Sequence, residues 1–303
     1  MQKIYKLTPS LKDYLWGGNK LTNYGKKTDG DVIAESWELS FTKGGEARAN
    51  GLYLPDMFPK STWGKRAEEF DFFPVLTKFI DAKDKLSVQV HPSDEYALKN
   101  ESSYGKTEMW YVVEADEGAG IYLGFKRACQ ENEVREAIAN GTVEELLSFV
   151  PAKAGDVFFI PAGTVHAIGA GMVIYEIQQN SNLTYRLYDY MRRDKTGALR
   201  ELHVDKAMSV INFDVYKAAS NDSADASVIG ECKYFKASKY KLNFTKQDFF
   251  VDYNSFFAVT CIAGEGEISG EYISQGDTYF APAGAGKIEL STAGEIEFIT
   301  VSL

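Results

Sequence analysis

Two of the chain's three histidines stand where a metal could be held. His91 ends the alternating stretch QVH at 89–91, and His166 ends GDVFFIPAGTVH at 155–166; the third is His203. In an extended strand, residues two apart share a face, so Gln89 and His91 point together. Glu108 follows 17 residues after His91, at the start of the strand-like EMWYVVEA. Two imidazoles and a carboxylate suit zinc or another divalent ion, with a coordination position left for water or substrate. Gln89 would add a neutral oxygen as a fourth ligand. Each residue taken alone has a blander reading. A lone histidine is more often a satisfied core residue, and Gln89 and Glu108 taken singly read as solvent-facing strand positions.

A repeat shifts that balance. GDVFFIPAGTVH (155–166) recurs as GDTYFAPAGAGK (276–287), with Gly, Asp, Phe, Pro, Ala and Gly at the same six offsets, 121 residues apart. The first copy ends in His166 and the second in Lys287. The turn therefore does not itself need a histidine. Gly-Asp turns into a short strand, Pro-Ala-Gly turns again, and the residue after it can point inward. An inward histidine at that place in a small β-barrel resembles the cupin fold, a jelly roll that commonly holds a metal. A period this long is too great for a solenoid unit and suits two related domains in tandem.

The elements that must position these residues are mostly strands. VIAESWELSF (32–41), FFPVLTKFIDA (72–82), EMWYVVEA (108–115) and GIYLGF (120–125) read as strands bracketed by turn formers. So do AGDVFFIPA, GMVIYEIQQ and LTYRLYDY within 154–190. Pro92 stops the strand carrying His91, and SDEYALKN (93–100) reads as a short helix capped by Ser93. Residues 130–147 carry helical periodicity broken at Asn140-Gly141, giving two short helices. LHVDKAMSVI (202–211) looks helical, and the small, polar stretch 217–231 suits a linker. The expectation is a mainly β protein of two tandem cupin-like barrels. The first spans 1–225 with a helical insertion at about 128–148; the second spans 226–303 and has no histidine at all.

Composition narrows the classes. Aromatics reach 14%, which suits pleated, well-packed sheets. A net charge of −10 argues against a general nucleic-acid binder, though a local cluster of cations can still receive an anionic small molecule. The apolar runs are too short to span a bilayer. The N-terminal stretch lacks the apolar core of a signal peptide. Cys129, Cys232 and Cys261 are widely spaced and read as reduced thiols. A cytoplasmic protein is expected, a monomer or weak homodimer, with no membrane or nucleic-acid partner.

KFIDAKDKLSVQVHPSDEYA (78–97), GKTEMWYV (105–112), IPAGTVHAIG (160–169) and EIQQNSNLTYRLYDY (176–190) resemble type I phosphomannose isomerase. YLWGG (14–18) and ESWELS (35–40) fit the same family's N-terminal stretches. The resemblance covers roughly residues 5–215, in the order expected of the short bacterial form. It implies one zinc per chain, or another divalent ion, held by Gln89, His91, Glu108 and His166. It implies that Arg186 is catalytic or sits beside the reacting carbons, and that Lys78, Lys106 and Glu176 lie in or near the cleft. The longer relatives carry a tyrosine two residues after the histidine of PAGxxH, where this chain has Ile168. They also carry a lysine shortly after the arginine, where this chain has Arg192 and Arg193. Arg192 then joins Lys78 and Lys106 as a substrate-binding candidate.

The implied chemistry asks for these residue types. Interconverting mannose 6-phosphate and fructose 6-phosphate moves a proton between C2 and C1 through an enediolate. A divalent metal polarises the carbonyl, a base takes and returns the proton, and cations hold the phosphate. Arg186 reads equally as enediolate stabiliser, substrate orienter or phosphate anchor. As a base it would be unusual, because its pKa stays above ~12; Glu176, or a water or hydroxyl on the metal, is a chemically easier base. His203 reads as structural. Trp16, Trp37, Trp63 and Trp110 suit either a sugar cleft or the core. Two other readings compete: an Fe(II) oxygenase of the same fold, and a non-catalytic sugar-binding regulatory protein.

Overall fold

The computed structural model describes residues 3–194, 196–217 and 227–303. The chain is mainly β, with a few short helices, as expected. Its strands form three antiparallel sheets. One has six strands, in the order Val157–Ile160, Glu108–Ala115, Met172–Gln179, Val75–Ala82, Glu35–Leu39 and Ser10–Lys12. A second has five, in the order Leu147–Pro151, Gly120–Phe125, His166–Ile168, Val88–Val90 and Tyr185–Tyr188. A third has eleven strands, most of them C-terminal.

These sheets are open, which differs from the closed barrels expected. Layers packed through apolar clusters take the place of closure. Met172–Gln179 shows why. Both of its faces are covered, so it reads as a continuous apolar run rather than an alternation. Val173, Tyr175 and Ile177 enter a cluster shared with the C-terminal sheet, while Met172 and Ile174 enter another with Trp16, Ile80 and Trp110. Glu176 and Gln178 lie on this second face by strand parity.

The two copies of the repeat have one local structure. Gly155 and Gly276 both adopt a left-handed φ, at 93° and 88°, where a β-carbon would be strained. Asp156 accepts a hydrogen bond from the Lys153 amide, as Asp277 does from that of Ser274. The Gly163 amide donates to the His91 carbonyl, and the Gly284 amide to that of Asp252. His166 pairs with Gln89, and Lys287 with Phe250. Ile160 pairs with Glu108, and Ala281 with Phe257. Register therefore sets Phe250, Asp252, Phe257 and Lys287 opposite Gln89, His91, Glu108 and His166. His166 is fully buried, whereas the Lys287 side chain is half exposed and pairs with Asp248.

The helices fall close to their expected places, at Asp94–Asn100, Glu131–Asn140 and Val204–Met208. Gly141 ends the second in a left-handed cap, and a 3₁₀ turn follows at Val143–Leu146. The turn-rich stretch read at 217–231 ends in a strand, Val228–Glu231. The expected boundary at 225/226 lies outside the described residues. Sheet membership crosses it, because Tyr5–Thr8 pairs with Thr278–Ala281. Aromatic side chains seal that seam: Phe41, Phe58, Phe73 and Phe256 all surround Phe280. The three cysteines are free thiols. Among the described residues, no helix is long and apolar enough to cross a membrane.

Candidate active site

Two sheets bring the ligand candidates together. The five-stranded sheet supplies Gln89 and His166 as register partners, with His91 just beyond the end of Val88–Val90. The six-stranded sheet supplies Glu108, paired to Gln178 and Ile160. His91 Nδ1 is 2.7 Å from the Leu183 carbonyl, and His166 Nδ1 is 2.9 Å from that of Thr164. A carbonyl only accepts, so each Nδ1 carries the proton and each Nε2 offers a lone pair. His166 Nε2 lies 3.2 Å from Glu108 Oε1, and His91 Nε2 lies 3.6 Å from Oε2. Gln89 places its carboxamide 3.3 Å from His166 Nε2.

This arrangement fits a divalent ion. Tetrahedral bonds of about 2.0–2.1 Å set ligand atoms roughly 3.3 Å apart, close to the two imidazole–carboxylate distances. The ligand atoms of His91, Glu108 and His166 all lie within 4.8 Å of one another, in fully buried side chains. Lys106 answers Glu108 Oε2, but Oε1 is buried with no donor and meets the His166 Nε2 lone pair, an arrangement that is costly unless a cation sits between them. These three residues form a metal-binding group.

Beside it runs a chain of alternating charge. The Lys106 ammonium lies 2.6 Å from Glu108 and 3.0 Å from Glu176. Lys78 lies 3.7 Å from Glu176 and 3.6 Å from Glu35. Lys78 and Glu176 are direct register partners on neighbouring strands, so the sheet itself fixes this contact. Burial tends to raise the Glu176 carboxyl, but Lys106 and Lys78 outweigh it and hold the group down at about 2. Burial pushes Glu108 up to about 8 against the pull of Lys106. Burial opposes the charge on Lys106, yet Glu108 and Glu176 hold its pKa above the usual lysine value. Burial pushes both imidazoles down, His166 to about 4, so they stay neutral and able to ligate.

A cleft of about 370 Å³ opens above this group. Gln89, Lys78, Lys106, Glu176 and Arg186 line it. Arg186 is in register with Gln89 on Tyr185–Tyr188. Its Nη1 donates to the Glu201 carbonyl, while its Nε is buried without a partner. Burial, and then the nearby Arg200, weaken its hold on its proton. Trp16, Trp37, Trp110 and Ile168 form apolar walls, whereas Trp63 packs in the core.

Not every expected residue reaches the cleft. Arg192 lies outside its lining: it donates to the Lys85 carbonyl, pairs with Asp189 and stacks over Tyr190. Arg200 lines the cleft instead, with Glu35, Ser181, Asn182 and Thr184. Glu35 had a sequence signal, since alternation in ESWELS puts it on one face with Trp37. Arg200 had none, because it follows the last strand of its sheet in irregular chain. His203 is structural in an unexpected way. Its Nδ1 accepts from the Arg186 amide, which fixes the strand that carries the guanidinium.

Known proteins agree with this geometry. Residues 4–118 match the family model for the phosphomannose isomerase type I catalytic domain. The chain is 38% identical over 304 residues to the mannose-6-phosphate isomerase ManA of Bacillus subtilis, covering 95% of both chains. It is 36% identical to the mannose-6-phosphate isomerase of Streptococcus mutans, over 87% of this chain and 86% of that one. A crystal structure of the B. subtilis mannose 6-phosphate isomerase superposes with a TM-score of 0.87 at 32% identity, over the full length of both. A match of that extent, with the metal-binding group and the charged chain in place, shows that the protein belongs to the type I phosphomannose isomerase family.

Proposed function

We propose that the protein interconverts mannose 6-phosphate and fructose 6-phosphate. The observation that carries this reading is the convergence of two lone-pair-bearing imidazoles and a buried Glu108 carboxyl group beneath a cleft. That cleft also holds an ionised carboxylate between two ammonium groups. His91, Glu108, His166 and Gln89 would hold the ion, and the donor set favours zinc. When bound, it supplies Lewis-acid polarisation of the sugar carbonyl, which acidifies the neighbouring C–H.

The chain's own residues do the rest. Glu176 is ionised at neutral pH, so it can accept a proton. Its low basicity is matched to a carbon acid made stronger, and Lys106 and Lys78 keep it charged and aimed. Arg186 and Arg200 repel one another electrostatically, and a dianionic phosphate between them offsets that repulsion. Arg186 then anchors phosphate, and Arg200 takes the role expected of Arg192. Trp16, Trp37 and Trp110 exclude water from the reacting carbons.

The two halves read as tandem cupin-like units, a catalytic one over about 1–225 and a silent one over about 226–303. The shared register of the two repeat copies supports this. Free thiols and charged surfaces favour a cytoplasmic enzyme with a small sugar phosphate as its partner.

The test is a coupled assay on metal-analysed protein, across several sugar phosphates. Turnover of mannose 6-phosphate that needs zinc and proceeds without oxygen is the expected result. Zinc-loaded protein that binds the sugar phosphate but leaves it unchanged would sink the proposal.

A further inference from the structure

Behind the cleft, on the far face of the six-stranded sheet, lies a second polar chain. The Lys26 ammonium is 2.7 Å from Glu38 Oε1 and donates to the Gly276 carbonyl at 2.6 Å. Ser36 donates to the same Glu38 oxygen at 2.6 Å. Thr278 donates to Glu38 Oε2 at 3.1 Å, and its oxygen is 2.9 Å from that of Thr260. Thr260 in turn lies 2.7 Å from the Tyr175 hydroxyl. The carboxylate accepts only, so every proton has one direction: Tyr175 gives to Thr260, Thr260 to Thr278, and Thr278 to Glu38. None of these residues is more than 7% exposed.

The placement of this chain matters. Tyr175 is the strand neighbour of Glu176, on the opposite face. Ser36 and Glu38 flank Trp37, and Ser36 follows Glu35. Strands Met172–Gln179 and Glu35–Leu39 are not paired with each other; Val75–Ala82 lies between them. On the cleft face, Lys78 spans the gap by contacting Glu35 and Glu176. On the rear face, the hydroxyl chain spans the same gap through Thr260 and Thr278 of the C-terminal sheet. Gly276 and Thr278 belong to the silent copy of the repeat.

We infer that Tyr175, Thr260, Thr278, Glu38 and Lys26 form a positioning relay, through which the metal-free C-terminal unit sets the separation of Glu35 and Glu176 in the cleft. A buried chain in which every proton is placed has a single low-energy arrangement. Breaking it leaves a desolvated group unpaired, and the flanking strands can then shift relative to Lys78. The C-terminal unit thus acts on turnover without touching substrate.

The catalytic arm of the test rests on the isomerase reading; the structural arm does not. In Thr278→Val, kcat falls about tenfold, since small misplacements in a catalytic constellation are expensive, while KM and zinc content stay near wild type. Thr278→Ser, which keeps the hydroxyl, restores kcat. Amide hydrogen exchange speeds up over residues 172–179 and 35–39 in Thr278→Val, and not across the C-terminal sheet as a whole. Tyr175→Phe, which removes only the first donor and keeps the ring, shows the same local pattern and covers the case where Thr278→Val does not fold. An inactive wild type overturns the isomerase reading and leaves the exchange arm to decide the relay. Unchanged exchange at both strands, or a loss spread evenly over the chain, overturns the relay.

Discussion

Lys106 and Glu176 lie 3.0 Å apart at the buried floor of the cleft, and the same ammonium touches Glu108 at 2.6 Å. One cation thus links a metal ligand to the residue proposed to take the proton. Beside an ionised Glu176, burial keeps a proton on Glu108, and Lys106 pulls against that. Lys78 adds a second positive charge on the far side of Glu176. The site keeps Glu176 charged by geometry, because register pairs it with Lys78 directly.

That geometry makes Glu176→Gln informative. The amide keeps the shape and loses the ability to accept the proton. kcat is expected to fall by about 10²-fold or more, while zinc content by metal analysis stays at the wild-type level. Near-normal turnover in the zinc-loaded variant would move the base elsewhere.

The arginines give a second test. Arg200→Ala is expected to raise KM for mannose 6-phosphate by about tenfold or more, the scale of a lost charge-assisted contact, with a smaller change in kcat. Both arginines reach Asp189, but Arg192 lies outside the cleft lining and also donates to the Lys85 carbonyl, so Arg192→Ala is expected to leave KM within about twofold. Steady-state kinetics of both variants check this. The opposite ranking would restore Arg192 as the phosphate anchor.

The metal-binding group was legible in the sequence for a physical reason. Strand period two placed Gln89 and His91 on one face, and the repeat supplied an internal control for His166. Lys78 and Glu176 were found through the resemblance, but their pairing came only with the register. Arg200 was illegible, because irregular chain carries no period. The open sheets were also illegible. Closure depends on which distant strands pair, and no local pattern foretells that Tyr5–Thr8 joins the C-terminal sheet. Nor does sequence show that Thr278, an ordinary strand threonine, lies against a buried carboxylate.

Metal removal separates the isomerase from an oxygen-using enzyme. Chelation is expected to abolish turnover, and zinc to restore it in an oxygen-free cell. His166→Asn is expected to lose bound zinc and activity together, read by metal analysis beside the coupled assay. Restoration by Fe(II) and oxygen alone would favour the oxygenase reading.

Acid stability of the metal-free protein follows from the two imidazoles. Burial holds His166 at about 4, against 6.5 for an exposed imidazole, and pushes His91 well below it too. Below pH 6.5 the unfolded chain takes up protons that the folded chain refuses. Their contribution to stability is therefore full above 6.5 and is lost as pH falls toward 4. For His166 the loss proceeds at about 1.4 kcal/mol per pH unit. Glu108, held up at about 8, works in the other direction, because the folded chain binds its proton first. Lys106 and Glu176 face the same space and stay charged throughout this range. The measurable quantity is therefore the difference between His166→Gln and wild type, each stripped with chelator. The wild-type urea midpoint should fall relative to the variant's as pH drops from 7 to 4, since the variant lacks one group that must stay neutral to fold. Parallel curves would mean that His166 takes up its proton in the folded protein as readily as in the unfolded chain, against the neutral state that ligation needs.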